Sequence, residues 1–244
     1  MTTTLNTTTD DLRVMTSGAF TAAYLELIPR LELLTKKKLV TAATSIGTRE
    51  NSIPNRLRRG EPVDVVIVAD GVLVQFIKDG LIMAESYTPL ARSAIGMAVR
   101  AGAPKPDIGT VDALKRTLLQ AKSIAYSASV SGDYLSTELL QRLGIADQVL
   151  SKCRRIEGGE RVGAVIARGE AEIGFQQISE LLPVPGIAHI TLLPPEVQKV
   201  SVFSAGVALS TGDSDAAHAL IKFLASPEAA RAITNSGLEP ILRI

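Results

Sequence analysis

Short β-branched runs alternate along this chain with longer amphipathic stretches, and that alternation restricts it to βαβ units wound around mostly parallel sheets. Strands are expected at Leu12–Met15, Lys38–Thr44, Val63–Val68, Ser93–Arg100, Ser123–Tyr126, Glu172–Phe175, His189–Leu192 and Val200–Leu209. The clearest helices are Ala19–Thr35, Val111–Gln120 behind the N-cap Thr110, Tyr134–Leu143 closed by Gly144, and Arg161–Arg168 closed by Gly169. Ser226-Pro227-Glu228 combines a cap, a first-turn proline and a first-turn acid, and so opens a last helix that stops near Gly237.

No repeat, low-complexity tract or Pro/Gly-rich linker divides the 244 residues into consecutive domains. Two extended segments, Ser86–Arg100 and Val197–Leu209, read instead as crossovers. They predict an α/β fold of two lobes, the first discontinuous (1–91 and 202–244) and the second formed by 92–201, with a cleft between them. In such sheets ligands sit beyond the carboxyl ends of the strands.

Composition narrows what that cleft can do. A chain with 46% hydrophobic and 21% charged residues is an ordinary globular one. Lys plus Arg total 26 against 25 Asp plus Glu, which gives no electrostatic footprint for nucleic acid. Cys153 is the single cysteine, and His189 and His218 stand outside metal-ligand spacing, so neither a metal nor a Ser-His-Asp triad is expected. No cofactor is expected either, because Gly158-Gly159…Gly163 does not follow the dinucleotide fingerprint and no phosphate-binding GxxxxGK[ST] occurs. Met1–Asp10 has neither the basic nor the apolar region of a signal peptide, and the Val63–Ile77 stretch is broken by Asp64 and Asp70. The chain as written therefore reads as cytoplasmic without a membrane span, or as periplasmic if an export signal has been removed.

The residues after the strands form a consistent set. Thr16-Ser17-Gly18 runs into the first long helix, where free N–H groups and the positive dipole end favour an anion. Similar small polar junctions follow at Ser45, Thr48 and Arg49, at Ala69-Asp70, at Ser129-Val130-Ser131-Gly132, at Gly159-Glu160-Arg161-Val162, and at Gln176-Gln177. Each has a bland counterpart: Ser and Thr cap helices, and Glu50 and Glu160 stand beside Arg49 and Arg161 as ready partners. The basic runs Lys36-Lys37-Lys38 and Arg56–Arg59 fall where helix C-termini prefer cations.

Several of these motifs, in order, resemble the periplasmic molybdate-binding family of type 2 solute-binding proteins. They are Thr16-Ser17-Gly18-Ala19, Ser45-Ile46-Gly47-Thr48, Leu57-Arg58-Arg59-Gly60-Glu61-Pro62-Val63-Asp64 leading to Ala69-Asp70, Gly169 to Gln177, and Ser226 to Ala230. The resemblance implies oxyanion contacts from Ser17 and from Ser45 or Thr48, and from backbone amides near Ser129–Gly132 and Glu160–Val162. It also implies a small anionic ligand and a transporter or signalling partner. Gln176-Gln177 stands where molybdate-binding relatives carry a tyrosine, and Arg49 adds a charge to a loop that is usually uncharged. Together with Glu180-Leu181-Leu182-Pro183, the Phe-Gln-Gln strand end resembles the branch that includes aconitate isomerase, which moves a double bond in a small tricarboxylate.

Three functions follow as expectations. The first is non-catalytic binding of a carboxylate or molybdate-like oxyanion. The second is isomerisation of an unsaturated polycarboxylate, with Glu160 as base and Arg49, Arg92 and Arg161 as anchors. The third is a ligand sensor that passes lobe closure to another protein.

Overall fold

The computed structural model describes residues 11–43, 50–157 and 159–242. The chain begins with β1 (Asp11–Thr16), α1 (Gly18–Thr35), β2 (Lys38–Ala43), α2 (Ile53–Arg58), β3 (Val65–Ala69), α3 (Asp70–Lys78) and β4 (Thr88–Ser93). It then builds β5 (Ile95–Arg100), α4 (Val111–Gln120), β6 (Ile124–Ser127), α5 (Val130–Tyr134), α6 (Leu140–Arg142), α7 (Ala146–Val149), β7 (Cys153–Ile156), α8 (Val162–Ala167), β8 (Ile173–Gln177), α9 (Ile178–Leu181) and β9 (Ile187–Leu192). It closes with β10 (Ser201–Val207), α10 (Ser214–Leu224), α11 (Pro227–Asn235) and β11 (Glu239–Pro240).

The strands form two sheets, ordered β11-β4-β10-β3-β1-β2 and β7-β6-β8-β5-β9. The pairs within each βαβ run are parallel, as the alternation predicts. The strands beside the crossovers are antiparallel to their neighbours, so both sheets are mixed. The reason is geometric: a chain that leaves one sheet and later returns to it enters from the opposite end. Ser86–Arg100 is accordingly two strands, β4 in the first sheet and β5 in the second, with Ala94 between them.

β3 is buried along its whole length because both faces of the first sheet are covered. Val65, Ile67 and Ala69 face a core closed by Phe20, Tyr24, Leu27 and Leu31 of α1 together with α10 and α11, whereas Val66 and Val68 face Ile53, Leu73 and Phe76. The second sheet has its own core around Met97, Leu114, Leu118, Ile124 and Phe175. Asp64, which interrupts the apolar run before β3, is a buried tie: its carboxylate accepts from Arg13 N at 2.7 Å, Thr211 Oγ1 at 2.7 Å and Gly212 N at 3.1 Å. Among the described residues, no helix is long and apolar enough to cross a membrane.

Candidate functional site

β1 delivers Thr16 and Ser17 to the start of α1. Ser17 occupies the cap position with extended backbone (φ −71°, ψ 156°), yet its side chain makes no capping hydrogen bond. Its Oγ is buried without a partner. An ordinary N-cap hydroxyl satisfies an amide two or three residues on; this one is held back from that task beside amides that have no intrahelical acceptors. Thr16, fully buried, turns its hydroxyl onto Ser17 O at 3.2 Å.

Directly against this helix start lies a group that the sequence reading did not single out as catalytic. A Cβ placed on Gly18 would be 2.1 Å from Glu180 Oε1, so the Glu180 carboxyl fills the space a side chain at 18 would take. Glu180 belongs to α9, which follows the second sheet's β8. The residue as a whole is half-buried, but its carboxyl end is enclosed, and that desolvation pushes its pKa up to about 7. The Arg161 guanidinium and a hydrogen bond from Gln176 oppose the rise. Gln176 is oriented for this, since its Oε1 accepts from Val162 N at 3.0 Å and its NH2 is left for the carboxyl. Segments 16–18, 161–162 and 176–180 therefore meet at one place.

The serines at the end of β6 and just after it form a closed set. Ser127 Oγ lies 2.7 Å from Ser129 Oγ and 3.0 Å from Ser131 Oγ. Gly132 is required below them, because a Cβ there would fall 1.7 Å from Ser127 O. Val130 packs against the first lobe's core, which carries this helix start across the gap between the sheets. A cavity of about 330 Å³ opens beside it, bounded by Asp70 and Gly71 from the first sheet's side, by Val130 and Asp133, and by Lys199 and Ser201 from the returning crossover. Asp70 accepts there from Tyr87 Oη at 2.5 Å and Ser204 Oγ at 2.7 Å. Gln177, at the end of β8, donates to Ser201 Oγ at 3.1 Å, while its buried Oε1 has no partner.

Other expected site residues stand elsewhere. Glu160 is exposed and bonded to Arg168 at 2.5 Å, which leaves it committed to a surface ion pair rather than turned to the cleft. Arg92 pairs with Glu239 at 3.1 Å on the outer edge between β4 and β11. Arg161 is the cap residue of α8 and acts on Glu180 through its charge. Gly159 takes a positive φ of 84° in the turn before it. Ser45, Thr48 and Arg49 lie outside the described residues. Cys153 is a structural thiol: burial pushes its pKa up to about 11, and its Sγ donates to Val149 O.

Two α/β lobes whose polar helix starts meet around the partnerless Ser17 hydroxyl and the enclosed Glu180 carboxyl have the arrangement of a two-lobed solute-binding protein. The chain belongs to the bacterial extracellular solute-binding protein family, whose model matches residues 12–239. It is 45% identical over 231 residues to the aconitate isomerase of a Pseudomonas species, covering 94% of this chain and 88% of that protein. It is 26% identical over 242 residues to the molybdate-binding protein ModA of Azotobacter vinelandii, covering 93% and 89%. The solved structure of the periplasmic molybdate-binding protein from the same organism superposes with a TM-score of 0.75 at 19% identity, over 93% of this chain and 98% of that one.

Proposed function

We propose that this protein binds a small unsaturated polycarboxylate between its lobes and isomerises it by a 1,3-proton shift, a reading supported by its 45% identity to a protein named aconitate isomerase. The observation that carries the reading is the Glu180 carboxyl seated against Gly18 at the start of α1, in an enclosed place that pushes its pKa up to about 7. A general base works best with a pKa close to the working pH, and an ordinary exposed glutamate is too weak a base for a carbon acid.

The chemistry balances without a cofactor. In aconitate a CH2 group lies next to the carbon–carbon double bond. Glu180 takes one proton from that CH2, the released electron pair forms a new double bond toward the central carbon, and the former alkene carbon receives the proton back from the Glu180 carboxyl. The negative charge that develops spreads into the adjoining carboxylates. The α1 helix start, with its amides and the free Ser17 hydroxyl, together with the Arg161 guanidinium, favours that charge. Charge-assisted hydrogen bonds of this kind contribute roughly 1.5–3 kcal/mol each.

Glu180 takes the role that Glu160 holds in the sequence reading, because Glu160 is paired to Arg168 at the surface. The test is incubation with cis- and trans-aconitate followed by proton NMR. Interconversion by the parent protein and its loss in Glu180→Gln are expected; a flat spectrum at high protein concentration refutes the reading for that substrate.

A second reading, binding without chemistry, is favoured by the partnerless Ser17 hydroxyl and by the fold shared with a molybdate-binding protein. Calorimetric titration with citrate-like acids and with molybdate or tungstate separates the two: tight binding with no turnover of aconitate selects it.

A further inference from the structure

Gly18 is the first residue of α1, and its backbone is not in the left-handed region that would demand glycine there. Within a helix, glycine is less favourable than alanine, so helical conformation does not account for it. The neighbour that does is Glu180. With any Cβ at position 18, Oε1 would sit at 2.1 Å and the carboxyl carbon at 3.0 Å, and the carboxyl would have to leave. The clash falls on the far end of the Glu180 side chain, so it is the carboxyl that moves and not the helix that carries it. α9 is held on the first lobe at a second glycine, Gly237, where a Cβ would fall 2.5 Å from Leu182 Cδ1, and Gln176 is pinned by Val162 N.

We propose that Gly18 is a positioning residue: its missing side chain is the slot that holds the Glu180 carboxyl at the start of α1, in the enclosed place where it acts on substrate. The catalytic part of this inference rests on the reading of Glu180 given above; the placement part does not. The groups facing the carboxyl are Gly18 from α1, Arg161 ahead of α8 and Gln176 from β8. Among them Arg161 carries the charge, and it is left in place by a change at 18.

Gly18→Ala should push the carboxyl out of its slot toward water, which lowers its pKa toward that of an ordinary glutamate. The experiment is carbon-13 NMR of protein labelled at glutamate carboxyls, titrated from pH 4 to 9. The resonance absent from Glu180→Gln identifies Glu180. In the parent it is expected to titrate near pH 7, and in Gly18→Ala at least one pH unit lower, with aconitate turnover reduced tenfold or more. An unchanged midpoint in a folded Gly18→Ala protein overturns the proposal.

If Gly18→Ala does not fold, the double variant Gly18→Ala/Glu180→Asp decides. The shorter acid leaves room for the methyl, so recovered folding supports the slot, and continued failure to fold overturns it. Should the parent protein leave aconitate untouched, the isomerase reading falls while the titration still decides the role of Gly18.

Discussion

Replacing Glu180 by Gln should make the protein more stable at alkaline pH while abolishing the proposed chemistry. A glutamate titrates near 4.5 when exposed and at about 7 in this site. The folded state therefore holds its proton over a pH range in which the unfolded chain has released it. Stability from this group is complete below pH 4.5 and is lost as the pH rises through about 7. At about 1.4 kcal/mol per pH unit over that interval, the cost of ionising the folded protein approaches about 3 kcal/mol. The residue is half-buried, and solvent screening reduces this to about 1–3 kcal/mol. Gln keeps the shape, can still bond to Gln176, and carries no charge at any pH. Parent and Glu180→Gln should thus melt together near pH 5 and separate above pH 8. There the variant should melt higher by roughly 2–12 °C, taking about 2–4 °C per kcal/mol for a chain of this size. Differential scanning calorimetry of both proteins from pH 4.5 to 9 reads this directly. Curves that stay parallel across the range, or a variant that is less stable at pH 8.5, would refute the claim that the carboxyl is desolvated at the cleft.

Ser17→Ala should weaken ligand binding by roughly tenfold in calorimetry with little change in melting temperature, since the hydroxyl has no partner within the fold. Arg161→Ala removes the charge that holds the Glu180 pKa down, so the acidic limb of the rate profile should move to higher pH and turnover at pH 7 should fall. Glu160→Gln should change turnover less than twofold in the same NMR assay, because it breaks only an exposed pair with Arg168. Gly132→Ala should fail to fold or melt far lower, as its Cβ has no space against Ser127 O.

Much of the architecture can be read from local signals. Thr110 caps α4 as the pattern predicts, accepting from Ala113 N at 3.1 Å, and Ser226-Pro227-Glu228 opens α11. Lys36 ends α1 and Arg56 and Arg58 lie in the last turn of α2, where helix ends favour cations. The helix read from Tyr134 starts at Val130 instead and passes through a π turn at Leu135–Leu139, which no propensity signals. β7 is hidden by Arg154 and Arg155, two exposed charges on an edge strand where the inward alternation is faint. The cleft is only partly legible for a similar reason. Ser17, Gln176 and the Ser129–Gly132 turn stand at strand ends, a position that sequence can mark. Glu180 looks like any acid in a short helix until folding brings Gly18 against it, and its chemistry is a property of that contact.

Hydrogen exchange at the substrate's CH2 group tests proton abstraction by Glu180 most directly. With trans-aconitate in D2O at pD 8, the parent protein should replace the CH2 hydrogens by deuterium, seen as loss of their proton NMR signal, while Glu180→Gln binds the same acid and leaves the signal intact. Exchange that continues in Glu180→Gln, or a parent protein that binds the acid and neither exchanges its hydrogens nor interconverts its isomers, contradicts the assignment.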